Sequence, residues 1–263
     1  MSGTVTVVAT TEGSNVPPRV RLDVTDIGGT NSTVTVVRLN PDGRTVPVRT
    51  PDGNPLILTT SGLNKVGLIY DYEMPYGSAV QYSTLEDPAS SSGEVTVDSD
   101  RPLLVHPGVP ELSQRIVIAA VSPRVQKMNR SVLYPMGRAT PIVQTDGIRK
   151  AAEYTLTLYT GTDDERLDLQ SLLSDGSPLL LNIPAANPWG LPTEYLSVGD
   201  VTENRVVEFL GEPARKWEMP VTVIARPSGG SQSQRVYVDL LEYPTYAALM
   251  AAYPTYLDVL AGP

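Results

Sequence analysis

The sequence predicts a mainly β protein with one short α-helix and further short helices at its C-terminus. Its 263 residues include 24 prolines and 21 glycines, and helix-dominated proteins rarely tolerate so many turn-forming residues. Runs of valine and threonine, as in residues 4–8 and 33–37, favour strands because β-branched side chains fit a pleated surface. The hydrophobic fraction of 41% supports a core, and the length suits one large domain or two ordinary ones.

Short strands and tight turns alternate through the first hundred residues. Turn signals rich in Pro, Gly, Asn and Asp occur at 26–29, 40–43, 51–55 and 76–77, where they supply the backbone angles that tight turns require. Strands separated by roughly eight to twelve residues are typical of a β-sandwich, which is predicted for residues 1–100. The predicted strands are 4–10, 19–25, 33–39, 45–49, 55–60, 65–73, 78–83 and 94–98.

Residues 68–82 are rich in tyrosine around a Pro-Tyr-Gly turn. This stretch resembles the late strands of fibronectin type III and related immunoglobulin-like modules. In such modules a corner tyrosine hydrogen-bonds back to the backbone, and the turn leads into a strand that ends in tyrosine. The resemblance implies an immunoglobulin-like sandwich in which Tyr76 and Tyr82 are structural; the alternative is an aromatic patch that binds a ligand.

The proline-rich residues 101–110 are predicted to form an extended, semi-rigid connection, with a domain boundary between 98 and 112. They contain His106, the single histidine of the chain. A lone histidine between Val105 and Pro107 is expected at the surface, and no Gly-x-Ser-x-Gly turn accompanies it to suggest a catalytic triad. Nearby Asp98 and Asp100 offer oxygen ligands that suit calcium, but two carboxylates are too few to specify a site.

The second predicted domain, residues 101–242, is expected to be a β-barrel or sandwich. Its apolar run 115–121 predicts a strand buried on both faces. Residues 149–160 predict a longer strand, and residues 178–184 predict another buried strand.

Residues 163–174 carry a complete set of local helix signals. Thr162 suits the N-cap, and Glu165 three residues later completes a capping box. Asp163 and Asp164 complement the positive end of the helix dipole, which explains these carboxylates better than a paired acid–base site does. Gly176 follows as a C-terminal stop signal. Three leucines share one face of the helix: Leu169, Leu172 and Leu173.

The C-terminal residues 243–263 contain a short repeat, Tyr-Pro-Thr-Tyr, at 243–246 and again at 253–256. Proline suits the first position of a helix, so short helices are predicted here. Their tyrosines either pack on their own domain or form an assembly interface with a neighbouring subunit, since tyrosine is favoured in interface cores. The residues concerned are Tyr243, Tyr246, Tyr253 and Tyr256.

The composition argues against several functional classes. The absence of cysteine excludes a disulfide framework, a thiolate nucleophile and a cysteine-bound metal. A net charge of −9 and a pI near 4.7 argue against specific nucleic-acid binding and against binding to anionic membranes. No phosphate-binding glycine motif, secretory signal or apolar run long enough for a membrane span occurs. We expect no catalytic residue, no cofactor and no metal, and synthesis in a cytoplasm.

Three stretches of the sequence resemble minor tail proteins of long-tailed phages that infect actinobacteria. They are residues 136–143, the strand–helix–strand unit through Leu181, and residues 194–201. The C-terminal residues 256–260 are similar to the same group. The resemblance implies a ring-forming β-domain related to distal tail (baseplate) proteins and tail-tube subunits, located in the virion. Its implied partners are the tail tube, the tape measure and other minor tail proteins, and its implied state is a homo-oligomeric ring, hexameric or trimeric.

Two other functional classes stay open. A carbohydrate- or surface-binding module would use the N-terminal sandwich and Trp189 as its contact, although Trp189 and Trp217 also suit core or loop anchors. A glycan hydrolase would need a pair of carboxylates, for which the acidic helix start is the one candidate.

Overall fold

The computed structural model describes residues 4–12, 17–27, 31–51, 53–87, 90–134, 136–185, 188, 190–207 and 211–228. Within these ranges the protein is mainly β, as the sequence predicts, with one α-helix. The helices predicted for residues 243–263 lie outside the described residues.

The N-terminal part consists of antiparallel strands that pack around a shared apolar core. Its strands are β1 Thr4–Glu12, β2 Arg19–Ile27, β3 Thr33–Val34, β4 Val36–Leu39, β5 Thr45–Pro47, β6 Leu56–Ile57, β7 Thr59–Ser61, β8 Asn64–Asp71 and β9 Gln81–Thr84. They form a sheet in the order β1-β2-β8-β7, a sheet in the order β5-β4-β9 and the pair β3-β6. Along β2, Val20, Leu22 and Val24 alternate inward with more exposed residues, as expected for a strand with one face on a core. The strand predicted at 94–98 is reduced to one bridge between Val95 and Val80.

Tyr76 and Tyr82 are structural, but neither forms the expected bond to the backbone: the buried Tyr76 hydroxyl has no hydrogen-bond partner among the described residues, and Tyr82 bonds to a side chain. The Tyr82 hydroxyl donates to the carboxylate of Asp71 at 3.0 Å. Tyr76 and Tyr82 are almost completely buried in the N-terminal core. Their rings therefore fill space inside the sandwich and are not available as a surface patch.

The C-terminal part is a sheet that closes on itself. Its elements are β10 Leu103–Val105, β11 Gln114–Arg115, β12 Val117–Val121, β13 Val125–Leu133, β14 Ile142–Thr160, α1 Asp163–Leu173, β15 Leu179–Asn182, β16 Glu194–Val198, β17 Thr202–Arg205 and β18 Arg215–Ile224. The strand order is β11-β10-β15-β16-β18-β14-β12, with β13 paired to β14 and β17 to β18. Only Ile116 separates β11 from β12, so one continuous segment pairs with both ends of the sheet. This closure gives a barrel-like wall.

The apolar segment 115–121 is buried on one face, so its predicted burial on both faces is wrong. Ile116 and Ile118 point into the barrel core, whereas Val117 between them is 42% exposed. The described part of the chain places nothing over the outer side of β12. An apolar run by itself does not reveal whether the second face of a strand is covered.

The predicted connection at 101–110 is extended, but part of it is a central strand of the sheet. Leu103, Leu104 and Val105 are all inaccessible to solvent. Leu103 and Val105 face the N-terminal core and Leu104 faces the barrel core. The division into domains at residues 100 and 101 stays a prediction, because strand β10 contributes to both cores.

Strand β15 repeats this two-sided burial. Leu180 faces the N-terminal core, while Leu179 and Leu181 face the barrel core. On the same strand, the buried side-chain amide of Asn182 donates to the carbonyl of Met74 at 2.7 Å. The short barrel strands β10 and β15 therefore form a wall that both cores share.

Helix α1 begins and ends close to its predicted limits. The Thr162 hydroxyl accepts a hydrogen bond from the backbone N–H of Glu165 at 3.2 Å. The Glu165 carboxylate accepts from the N–H of Gly161 at 2.7 Å, one residue earlier than in a standard capping box. Leu169 and Leu172 are buried against the barrel core, and Gly176 adopts a φ of 67° just after the helix. The acidic first turn is thus explained by capping.

The shared wall makes neighbouring side chains of β15 important for two different cores. We expect Leu180→Ala and Leu181→Ala each to lower the free energy of unfolding by about 2–5 kcal/mol, because each leaves a cavity in a packed core. Chemical denaturation measures this. Leu63→Ala is the control, since Leu63 is 92% exposed. A loss confined to one of the two core variants would contradict burial of this strand on both faces.

Candidate functional site

A long β-hairpin projects from the barrel and is the most exposed ordered feature among the described residues. We call residues 123–151 the arm; it comprises all of β13, the turn after it and the first half of β14. Every described side chain of the arm is exposed except that of Met128, which is half-buried. The second half of β14, by contrast, pairs with β18 and lines the barrel core. One strand therefore belongs to the barrel at one end and to the arm at the other.

Two glycines permit the shape of the arm. Gly137 lies in the turn at its tip with a φ of 84°, and Gly147 has a φ of 77°. Around Gly147 the register shifts: Met128 pairs with Arg149, but Arg130 pairs with Thr145. The extra residues on β14 form a bulge, which bends a hairpin and increases its twist. Glycine suits both positions because it tolerates positive φ.

The base of the arm is fixed to the barrel by a cluster of polar contacts. The Arg124 guanidinium donates to Glu194 Oε2 at 2.7 Å, and the Tyr154 hydroxyl donates to Glu194 Oε1 at 2.8 Å. The same guanidinium lies 5.1 Å from the centre of the Tyr154 ring. Burial and the hydrogen bond to Glu194 raise the pKa of Tyr154. Lys127 pairs with Glu153 at 2.5 Å, so the first two basic residues of the arm have partners on this chain.

The outer half of the arm carries exposed aliphatic side chains on both faces. Val132 pairs with Val143, and Leu133 pairs with Ile142. Adjacent pairs of a hairpin point to opposite faces, so each face carries one exposed aliphatic pair. Beyond them, Met136 at the tip is fully exposed. An isolated two-stranded hairpin is at best marginally stable in water, so these faces are suited to burial against another surface.

The arm is basic, whereas the rest of the protein is acidic. Six of the 20 basic residues but only one of the 29 acidic residues lie in the arm, which leaves 14 basic and 28 acidic residues elsewhere. Four of the arm's basic side chains form no ion pair with any described residue. These are Arg130, Arg138, Arg149 and Lys150.

Two cavities of similar volume are lined by described residues. A cavity of about 260 Å³ lies beside Arg49, Asn54 and Arg226, and one of about 250 Å³ lies between β12 and α1, beside Arg115 and Glu165. No group of three or more His, Cys, Asp or Glu side chains among the described residues is arranged to hold a metal ion. The carboxylate of Glu165 is already used to cap α1.

A buried carboxylate network stabilises the N-terminal core. The Asp71 carboxylate accepts from Arg38 Nη1 at 2.6 Å, from the Tyr82 hydroxyl at 3.0 Å and from the N–H of Glu73 at 2.9 Å. Burial, together with the nearby Asp71 charge, raises the pKa of Tyr82 above its ordinary value. Because the carboxylate is saturated with donors, the network is structural.

A second network joins the N-terminal core to the end of β18. Glu73 accepts from Arg49 Nε at 2.8 Å and from Arg226 Nε at 2.9 Å. Arg49 also donates to the carbonyl of Pro227 at 2.9 Å. The chain leaving the barrel is therefore held beside the N-terminal strands by charge-assisted hydrogen bonds.

His106 is buried, so its predicted surface position is wrong. Its Nδ1 accepts hydrogen bonds from the N–H groups of Gly108 and Val109 at 3.1 and 2.8 Å. The proton is thus placed on Nε2, which lies 3.0 Å from Asp175 Oδ2. The ring orders the turn after β10 and connects it to the end of α1. Sequence reasoning missed this role because the partner Asp175 lies 69 residues away.

Of the two tryptophans and the four C-terminal tyrosines predicted to form core, glycan or interface contacts, only Trp217 lies among the described residues. Trp217 is a core anchor: it is buried, and its indole N–H donates to the Thr160 hydroxyl at 3.1 Å. Trp189 and the four interface tyrosines lie outside the described residues, so their roles stay predictions; those tyrosines are Tyr243, Tyr246, Tyr253 and Tyr256.

The arm itself was largely missed by the sequence analysis. The predicted strand at 149–160 begins at residue 142, and β13 was not predicted. The available signal was the local excess of basic residues in an acidic chain.

No protein-family model matches the sequence, and no curated protein matches it. Among the described residues, no helix is long and apolar enough to cross a membrane. The function is therefore inferred from the geometry and charge of the arm together with the local resemblances of the sequence.

The Arg38–Asp71 pair provides a test of the structural network. We expect Arg38→Ala to lower the free energy of unfolding by about 3–5 kcal/mol, because it leaves a buried carboxylate without its cation. The control Arg44→Ala removes a side chain that is 84% exposed and should change stability by less than about 0.5 kcal/mol. Denaturant titration compares the two. Equal effects would show that the buried pair has no special role.

The lowered pKa of Asp175 predicts that the stability of the protein depends on pH. Burial opposes ionisation, but hydrogen bonds from Ser177 and His106 outweigh it and lower the pKa of Asp175 from 3.8 to about 2. The ionised side chain therefore contributes stability above pH 3.8, and this contribution is lost as the pH falls towards 2. We expect the stability difference between wild type and Asp175→Asn to shrink over this interval in urea titrations. A difference that is constant with pH would contradict the assignment.

Proposed function

We propose that this protein is a non-enzymatic structural subunit of the tail tip or baseplate of a long-tailed phage. In this role it forms a homo-oligomeric ring that joins the tail tube to the distal tip and assists host attachment and DNA passage. The observation that carries the proposal is the exposed arm. A hairpin that exposes aliphatic side chains on both faces and is held to the barrel at its base is suited to assembly with other subunits.

The barrel supports the same role. Its wall is closed and polar contacts hold the base of the arm to it, so it provides a frame from which the arm projects. A projecting arm and the surface that receives it are different patches on one molecule. Such heterologous contacts generate a closed ring when the rotation between subunits is suitable.

The resemblance of residues 136–143 and 194–201 to minor tail proteins connects this geometry with a phage tail. Residues 136–143 include the tip of the arm, and residues 194–201 begin with Glu194, which anchors its base. The proposed partners are the tail tube, the tape measure and other minor tail proteins. A carbohydrate-binding role stays an alternative prediction, since its proposed contact Trp189 lies outside the described residues.

Location in the virion is the direct test. We expect peptides of this chain in purified virions, and we expect antibody labelling in electron micrographs at the distal end of the tail. A phage scaffold protein absent from mature particles serves as the negative control for purity. Absence of this chain from particles that carry the other tail proteins would reject the proposed function.

A further inference from the structure

We propose that the cavity between β12 and α1 binds a ring-sized carboxylate that carries hydroxyl groups, as an acidic sugar does. Arg101 and Arg115 hold the carboxylate, and Glu165 accepts a hydrogen bond from a hydroxyl group of the ring. The inference goes beyond the proposed function, which assigns no role to this cavity.

The cavity lies at the seam where the barrel closes. At Ile116 the segment from β11 to β12 passes from pairing with β10 to pairing with β14. Helix α1 lies beside this seam, and its buried Leu169 lines the cavity. The volume of about 250 Å³ is just below the range of roughly 300–1,000 Å³ that is usual for drug-sized ligands. It therefore suits a smaller molecule, such as a single substituted ring.

Two arginines that line this cavity have unused hydrogen-bond donors. Arg101 Nε and Arg115 Nη1 each lie 3.9 Å from a different oxygen of Asp100, a separation too long for a hydrogen bond. One carboxylate thus keeps both guanidiniums close together, while neither side chain donates a hydrogen bond to a described residue. A guanidinium presents a fork of donors that matches a carboxylate. A carboxylate supplied by a ligand is therefore the group that this pair of cations is suited to bind.

Polar groups elsewhere in the cavity favour a ligand with hydroxyl groups. Glu165 Oε2 accepts the N–H of Gly161 at 2.7 Å, but Oε1 accepts no hydrogen bond from a described residue. Neither arginine forms an ion pair with Glu165 among the described contacts. The Glu165 carboxylate therefore repels the acid group of a ligand, which directs that group to the arginines, and it offers an acceptor to a neutral hydroxyl.

Apolar surface in the cavity suits the C–H face of a ring. Val117 pairs with Tyr159 across β12 and β14, so their side chains are neighbours on one face of the sheet. Both residues line the cavity, and they are 42% and 39% exposed, respectively. An aromatic ring beside an aliphatic side chain gives a sugar ring a surface on which to stack.

The experiment titrates the full-length chain with D-glucuronate and follows binding by calorimetry. We expect glucuronate to bind, and we expect D-glucose to bind at least about tenfold more weakly, because it lacks the group that forms charge-assisted hydrogen bonds. Inorganic phosphate is the control for an anion without a ring, and it should not displace glucuronate.

Three variants test the assigned roles. Arg101→Gln/Arg115→Gln should weaken glucuronate binding at least about tenfold. The matched control Arg21→Gln/Arg44→Gln makes the same change in charge at two exposed residues outside the cavity and should leave the affinity unchanged. Val117→Trp keeps both cations but fills the cavity, and it should also weaken binding. Circular dichroism should show unchanged folding in every variant, because all the altered side chains are exposed.

The methyl glycoside of glucuronate distinguishes two sources of the ligand. Binding of this compound as well as the free acid assigns the site to a sugar within a glycan chain, and binding of the free acid alone assigns it to a soluble sugar acid.

Four outcomes would overturn the proposal. They are no binding of glucuronate up to its solubility limit, equal affinity for glucose, displacement by phosphate, and an arginine double variant that binds as wild type does. A chain that binds glucuronate but is absent from virions would reject the proposed function and leave this inference standing. A chain present in virions that binds no glucuronate would do the reverse.

Discussion

The barrel wall buried on both faces is the constraint on which the rest of the structure depends. Strands β10 and β15 are short, yet their successive side chains enter two different cores. A slip of one residue would exchange the two sets of side chains and place Asn182 in the wrong environment, so the register of these strands is strongly specified. The N-terminal sheets and the barrel are consequently held together by apolar burial and not only by a connecting chain.

Polar networks reinforce this arrangement at its margins. His106 orders the turn that follows β10 and contacts Asp175 after α1, while Glu73 holds the end of β18 beside the N-terminal strands. Each network joins groups that lie far apart in sequence, and each buried acceptor has several donors. They therefore fix geometry where the apolar core ends.

The attachment of β14 to the barrel wall determines the direction in which the arm projects. Half of β14 is paired with β18 inside the barrel, and the other half extends outward with β13 as its one partner among the described strands. A strand fixed at one end projects in a defined direction, which suits the assembly role proposed for the arm. The arm and the rest of the chain differ in charge as well as in burial: the arm is basic, and the rest of the chain is acidic. The net charge of the chain conceals this division, and the low pI alone would argue against any basic contact surface.

The sequence by itself determined the β class, most strand positions and helix α1. These features depend on local signals: Thr162 and Glu165 cap the helix whatever surrounds it, and alternating Val20, Leu22 and Val24 require one covered face. Tertiary structure alone decided which faces are covered. The tertiary structure buries His106 and places the side chains of Leu103–Val105 in two different cores. It leaves Val117 and the arm exposed to solvent. Periodicity records that a face is apolar, but whether that face is buried depends on distant parts of the chain.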